Sequence, residues 1–505
     1  MLGRYSLILA GTLVGGATAG FPAVMALAAD APVPVPQVSG PVAAPDVPGA
    51  PTHNYPFFAS NHELAAHGYV EEEYFIKGTA STYNLKGTET ATVKDSGHPF
   101  VTRIVIRRPA DPKRFNGTAI VEWDNVTNMF DAENVWFFDW EDMMRSGYVW
   151  VGVSAQTIGV DALKKWNDDR YGALDVGSIV AGTNGAAAGT PTATATGAAD
   201  TDALSFDIFS QVGQALRHPG AEDPLHGLKP KLFLAAGESQ SARRLGMYVN
   251  SVHPLARIYD GFLLLSAVGL KIRSDLVSPV IKISTEHDVV AGDAAAPQPD
   301  TDTFRAWEVA GTSHVDQHLR VSREALELRD LGKSLEAAMA PTCSVPSIGT
   351  RVPTTYVVAS ALEKLAHWAS GGQPPATAPR LTVVKAVPQP GQSVIARNKD
   401  DLAEGGIQLA ELAVPTQRNF GLGTPSKAAQ TAGIQGEAIG PGACVRWGYS
   451  VDFTVDQLNA HYPSHSAYVA EVRRVTEANL KHGYILAPDA AATIGEAEAS
   501  SVGEH

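Results

Sequence analysis

Among the serines of this 505-residue chain, Ser239 has the neighbours that make a hydroxyl a nucleophile. The run Lys231-Leu-Phe-Leu-Ala-Ala-Gly237-Glu238-Ser239-Gln240-Ser241-Ala242 places it between an apolar strand and a helical stretch, with small residues two before and two after it. A sharp strand-to-helix turn needs those small residues, because larger side chains would collide there. The turn lifts the hydroxyl above the carboxyl edge of a sheet. The backbone N–H of Gln240, at the positive end of the following helix, can then hold a developing oxyanion. The usual pattern is G-x-S-x-G, and here Ser241 takes the last position. Gly-x-Ser recurs at Ser154, Ser313, Ser334, Ser393 and Ser450, but the residues two further on are Gln156, Val315, Glu336, Ile395 and Asp452. Only Ser239 keeps a small residue there and sits at a strand–helix junction. Taken alone, the pentapeptide reads equally well as a helix N-cap.

An activated serine needs a base to take its proton and an acid to orient that base. On a strand–turn–helix elbow the chain order is serine, then Asp or Glu after a later strand, then His after the last one. The apolar run Val280 to Ser284 leads into Thr285-Glu286-His287-Asp288, and Arg305 to Val309 leads into Ala310-Gly311-Thr312-Ser313-His314. His314 is the candidate base. Asp288 is the favoured acid, three residues past the small Thr285 and short enough to hold an imidazole with little loss of rotamer freedom. Glu286 is the alternative, since residues two apart on an extended segment share a side. His287 should then face away and has no role. A second oxyanion donor is expected from Trp123-Asp124-Asn125-Val126-Thr127, where Asn125 and Val126 are the candidates. Trp123 and Asp124 are candidates for lining an acyl pocket, although a strand-end Trp is also ordinary core packing.

Elements that would position these residues are visible in the patterning. Tyr69 to Ile76, Thr102 to Arg107, Thr118 to Trp123 and Val149 to Val153 read as strands. Beyond them, helical Asp207 to Leu216 precedes the strand Lys231 to Ala236, and helical Gln240 to Val252 follows it. Phe262 to Ser266, Val280 to Ser284 and Arg305 to Val309 read as further buried strands. The alternation implies an α/β fold, a mainly parallel sheet with helices on both faces. The Ala/Gly/Thr tract from Gly172 to Asp202 reads as a long surface excursion within an insertion at about 160–204. The core is expected over 53–340. Residues 341–505 form an added region that caps the site or braces the sheet, with a helix around Tyr356 to Trp368, a strand from Arg380 to Ala386 and a final helix from Ser466 to His482.

Formal net charge is −14 and there is no dense Lys/Arg run, which argues against a nucleic-acid partner. Arg4, the apolar stretch Leu7 to Val14 and the small-x-small triplet Ala26-Leu27-Ala28 read as a cleaved export signal over 1–28, with no stable membrane insertion after cleavage. Residues 29–52, rich in Pro, Val and Ala, read as an extended, unpacked lead-in. The two cysteines, Cys343 and Cys444, are expected to be bridged in an exported chain. No metal-ligand spacing of Cys or His is visible, and no cofactor is needed.

The elbow Gly-Glu-Ser-Gln-Ser-Ala-Arg-Arg-Leu, together with Tyr69-Val-Glu-Glu-Glu-Tyr-Phe, Val121-Glu-Trp-Asp-Asn-Val, Gly152-Val-Ser-Ala-Gln, Arg170-Tyr-Gly, Phe206-Asp-Ile-Phe-Ser-Gln and Val309-Ala-Gly-Thr-Ser-His, resembles the bacterial alpha/beta hydrolase-domain proteins whose elbow reads G-x-S-Q-S. The resemblance runs from about Gly68 to the C-terminal helix. It implies an α/β-hydrolase fold, makes Ser241 a family trait, assigns the nucleophile to Ser239 and the base to His314, and places Cys343 and Cys444 in the common C-terminal region. The expected activity is hydrolysis of a small-molecule carboxylic ester by an exported, periplasmic or secreted serine hydrolase. The alternatives are a peptidase or amidase with the same triad and a non-catalytic binding protein on a hydrolase scaffold.

Overall fold

Short apolar runs form the centre of the sheet because helices cover both of their faces. In the computed structural model, which describes residues 33–179, 202–345, 349–385, 394–427 and 441–504, these runs are Thr118–Trp123 (β4), Val149–Val153 (β5), Leu232–Glu238 (β6), Gly261–Leu265 (β7), Val280–Ser284 (β8) and Phe304–Glu308 (β9). They pair in parallel in the order β5-β4-β6-β7-β8-β9. The chain leaves β4 for β5 on one side and returns to β6 on the other. The carboxyl ends of β4 and β6 therefore flank a topological switch point, where open α/β sheets hold their ligands.

On the β5 edge the sheet is antiparallel. Tyr69–Lys86 (β2) and Glu89–Pro109 (β3) form a long hairpin whose distal half alternates with exposed polar residues, so it extends well past the apolar runs that signal it. The lead-in is not unpacked: Gln37–Ser39 (β1) pairs antiparallel with β2, Val38 facing Ile76, and the Val42 N–H donates to the Glu73 carbonyl. Arg170 donates to the Ala43 carbonyl, so a side-chain hydrogen bond anchors a segment whose composition suggested none.

Side chains alternate along β4, so Glu122 and Trp123 point to opposite faces. Glu122 accepts from the Val135 and Trp136 amides of Asn134–Ser146 (α1), which packs with Gln317–Leu331 (α6) and Thr354–Ala369 (α7). Trp123 packs on Phe206 and Phe209 of Ser205–Arg217 (α3), whose Phe209 meets Tyr248 of Gln240–Ser251 (α4). Between β5 and α3, Thr157–Trp166 (α2) and a single turn at Asp168–Tyr171 are packed, and Arg170 and Tyr171 bind Glu73. At the start of the Ala/Gly/Thr tract Asp175 bridges Val101 and Leu174 and Val176 are buried, while 180–201 lie outside the described residues, as do the leader and part of the strand expected from Arg380 to Ala386.

After β9 the C-terminal region returns to the sheet. Ile407 bridges Val309, and the region carries two two-stranded antiparallel sheets, Val383–Lys385 (β10) with Val394–Ile395 (β11) and Gln417–Phe420 (β12) with Tyr449–Asp452 (β13). His465–His482 (α8) and Ala487–Ala499 (α9) close the chain. Cys343 and Cys444 form a disulfide across a separation of 101 residues.

Candidate active site

Ser239 sits between β6 and α4 with φ 57° and ψ −116°, a left-handed conformation that disfavours any side chain and is held by its surroundings. Its N–H donates to the Leu265 carbonyl at 2.8 Å. A Cβ on Gly237 would lie 3.0 Å from the Ala242 nitrogen, which is why a glycine stands two before the serine. Ser241 is small for the same reason and adds a tie of its own: its Oγ donates to the Glu238 carbonyl at 2.9 Å and accepts from the Glu238 N–H at 3.1 Å.

The Ser239 hydroxyl lies 2.7 Å from His314 Nε2, and His314 Nδ1 lies 2.7 Å from Asp288 Oδ1. With Nδ1–H donating to the carboxylate, Nε2 is left to accept from the serine. His314 is carried by a turn after β9 in which Gly311 adopts φ 77°. Neighbours hold the turn: Gly311 N–H donates to Glu286 Oε1, Ser313 N–H to Thr350 Oγ1 and Val315 N–H to the Arg446 carbonyl. Burial alone would raise the Asp288 pKa, but the neighbouring His314 and His287 hold it well below the usual carboxylate range. Burial likewise lowers the tendency of His314 to protonate, and Asp288 and Glu238 together reverse this, raising its pKa above the ordinary value.

Thr285 opens not an extended loop but a short helix, Glu286–Ala291 (α5), with a capping box in which Asp288 Oδ2 accepts from the Thr285 N–H and hydroxyl. On a helix, residues two apart diverge, so Glu286 and Asp288 do not share a side. Asp288 turns to His314. Glu286 turns away, accepts from the Gly311 and Gly421 amides and pairs with Arg397 at 2.6 Å, so it is a structural tie and not the partner of His314. His287 does not face away: its Nδ1 lies 3.2 Å from Asp288 Oδ1 and its ring stands edge-on to His314. His287, Asp288 and His314 are, among the described residues, the group with ligand atoms close enough for a metal. The mutual hydrogen bond of His314 and Asp288 already occupies the atoms an ion would take.

Of the expected oxyanion donors, the Gln240 N–H is a first-turn helical donor with no acceptor within the helix. Val126 N–H lies 3.4 Å from Gln240 Oε1, close to the elbow. Asn125 is not a donor: its N–H is spent on the Ala132 carbonyl and its side-chain amide on the Glu238 carbonyl, so it braces the loop against the elbow. Trp123 and Asp124 do not line the pocket. Trp123 is fully buried, with its indole N–H on Gln156, and Asp124 is buried beside Asp131. A cavity of about 40 Å³ opens in front of Ser239 and is lined by Asn128, Asn134, Glu238, Arg323, Arg446 and Trp447, among others. The patterning assigned none of these six a role. Glu238 could have been suspected from its place inside the elbow, whereas Arg446 and Trp447 carry no local signal for a wall supplied from far along the chain.

The sequence matches the family described as alpha/beta hydrolase domain over residues 38–495. Among solved structures, the esterase Est22 is similar at 10% identity and a TM-score of 0.33, covering 62% of this chain and 84% of that one. A serine hydrolase without lid from Xanthomonas campestris is similar at 14% identity and a TM-score of 0.26, covering 50% and 93%. The rice cell wall degrading esterase LipA from Xanthomonas oryzae is similar at 12% identity and a TM-score of 0.22, covering 41% and 47%. No protein of curated function matches. The parallel sheet with its switch point at β4 and β6, and a family match spanning nearly all of it, make this chain a member of the alpha/beta hydrolase domain family.

Proposed function

We propose that the protein is an exported serine hydrolase that cleaves a small carboxylic ester through an acyl-enzyme. The observation that carries this reading is the unbroken chain Ser239 Oγ, His314 imidazole, Asp288 carboxylate, with both contacts at 2.7 Å and the serine on a strained elbow. Ser239 attacks the ester carbonyl as His314 Nε2 takes its proton, and His314 returns that proton to the leaving alcohol. The Gln240 N–H, with Val126 N–H once the Gln240 side chain yields, holds the oxyanion. Water then releases the acid by the same route in reverse. Asp288 remains charged throughout and stabilises the imidazolium.

The small cavity favours a short acyl group, since about 40 Å³ of accessible space corresponds to roughly two or three waters. Export is supported by the Cys343–Cys444 disulfide, and no helix of the described residues is long and apolar enough to cross a membrane. Labelling with a fluorophosphonate, which requires an activated serine, is expected to modify Ser239, and Ser239→Ala is expected to abolish both labelling and ester turnover while staying folded. An unlabelled parent protein would exclude this chemistry and leave the scaffold as a binding protein. With 4-nitrophenyl esters, acetate should exceed octanoate in kcat/KM by roughly tenfold or more. The reverse order would contradict the reading of the pocket.

A further inference from the structure

The pocket in front of the triad contains one more carboxylate than the reaction described above uses. Glu238 ends β6 immediately before the nucleophile and is only 2% exposed. Its Oε2 accepts from Asn134 Nδ2 at 2.7 Å and Asn125 Nδ2 at 3.3 Å. Among the described residues its Oε1 has no hydrogen-bond partner and lies 3.4 Å from His314 Nε2, the nitrogen that also meets Ser239, and Glu238 lines the same cavity. Leaving a buried carboxylate oxygen unsatisfied costs free energy, and two amides hold this one in place beside the reacting nitrogen.

We propose that Glu238 is a catalytic residue of deacylation: its Oε1 and His314 Nε2 each accept one hydrogen bond from the hydrolytic water. This rests on the serine-hydrolase reading and adds a second acceptor to it. In acylation the nucleophile is tethered, and the elbow alone sets Ser239 Oγ against Nε2. Water has no tether, so one acceptor leaves it free to rotate, while two fix its lone pair toward the acyl carbon. The water oxygen bonds to the acyl carbon as one proton passes to Nε2. The bond from that carbon to Ser239 Oγ then breaks, Nε2 returns the proton to Oγ, and the product leaves as the carboxylic acid. Glu238 neither gains nor loses a proton. The imidazolium formed on the way lies between two carboxylates, Asp288 at Nδ1 and Glu238 at Nε2. His287 and Arg446 act on it in the opposite sense, and Arg323 lies along the same cavity.

The test is Glu238→Gln, which keeps size and removes charge, with 4-nitrophenyl acetate in stopped flow and intact-protein mass after acid quench. The expected result is a full burst of nitrophenolate slowed only about a few-fold, since the imidazolium also forms in acylation, with steady-state turnover lower by roughly a hundredfold and an accumulating acetyl adduct. The acid limb of the kcat profile should also move to lower pH, because one of the charges that favour protonated His314 is gone. Asn134→Leu, which releases Oε2 without altering the elbow, should slow deacylation in the same sense. It carries the test if the Gln variant does not fold. Equal losses of burst and steady-state rate, or unchanged turnover, overturn the role of Glu238 alone. A parent that never forms an acetyl adduct on Ser239 overturns the serine-hydrolase reading and this role with it.

Discussion

Asp288→Asn preserves shape but presents an amide to His314 Nδ1, so the imidazole loses both its fixed tautomer and the charge that supports its protonated form. Turnover should fall by about 10⁴ with little change in KM. Glu286→Gln should instead keep turnover within about tenfold and lower stability by about 3 kcal/mol, since Arg397 would lose its buried partner and the Gly311 turn its carboxylate. Steady-state kinetics and calorimetry on the two variants separate the roles. If Glu286→Gln lost turnover as steeply as Asp288→Asn, the acid would be misassigned. At this scale Ser239 and His314 were legible from residue type, small neighbours and chain order. The acid stayed open between two residues because the choice turns on whether the segment after β8 is extended or helical, and Thr285 caps a helix. Asn125 was legible as belonging to the site, but not its task, because the pairing of its N–H with Ala132 depends on how the loop folds back.

The elbow is an element with its own energetics. Ser241 Oγ bonds both backbone groups of Glu238, so Ser241→Ala should cost about 1 kcal/mol and relax the left-handed serine, lowering turnover. A urea midpoint unchanged from the parent would show that the small side chain, not its hydroxyl, is what matters there. The parallel strands were legible because burial on both faces leaves an apolar run bounded by turn residues. Helix α1 was not: nearly its whole circumference is buried at its start, from Asn134 to Asp139, and the backbone leaves helical geometry at Asp139, so no amphipathic period survives. Strand β1 was missed for a different reason. Three residues among prolines carry no pattern, and their place is set by the edge of β2.

The whole molecule carries a net charge of −14. A second cavity, of about 560 Å³, is lined by Asp139, Glu141, Asp142, Asp316, Asp489 and other acids. Asp139 is buried with both carboxylate oxygens unpartnered among the described residues, and burial, reinforced by Asp142 and Glu141, raises its pKa well above the ordinary value. Below the ordinary aspartate range both folded and unfolded chains hold this proton. Above it only the folded chain does, so this site's contribution to stability falls as pH rises toward its folded pKa. Asp139→Asn should therefore stabilise the protein by about 1–3 kcal/mol, and by more at pH 8 than at pH 5. Thermal unfolding of parent and variant at the two pH values checks it, and a larger gain at pH 5 would contradict the assignment. The disulfide acts at the same scale. Closing a loop of about one hundred residues stabilises the fold by about 4 to 5 kcal/mol in the chain-entropy model, so Cys343→Ser with Cys444→Ser should lower the unfolding temperature. Cys444 also stands two residues before Arg446 and three before Trp447, which wall the pocket. The residues of the Ser239–His314–Asp288 chain are all present by residue 314, but that wall arrives only at residue 447. On the proposed function, and in the order of synthesis, the chain would acquire its means of attack before its means of refusal. On that reading, selectivity would mature after reactivity, waiting on a late part of the chain and on the closing of the disulfide beside it.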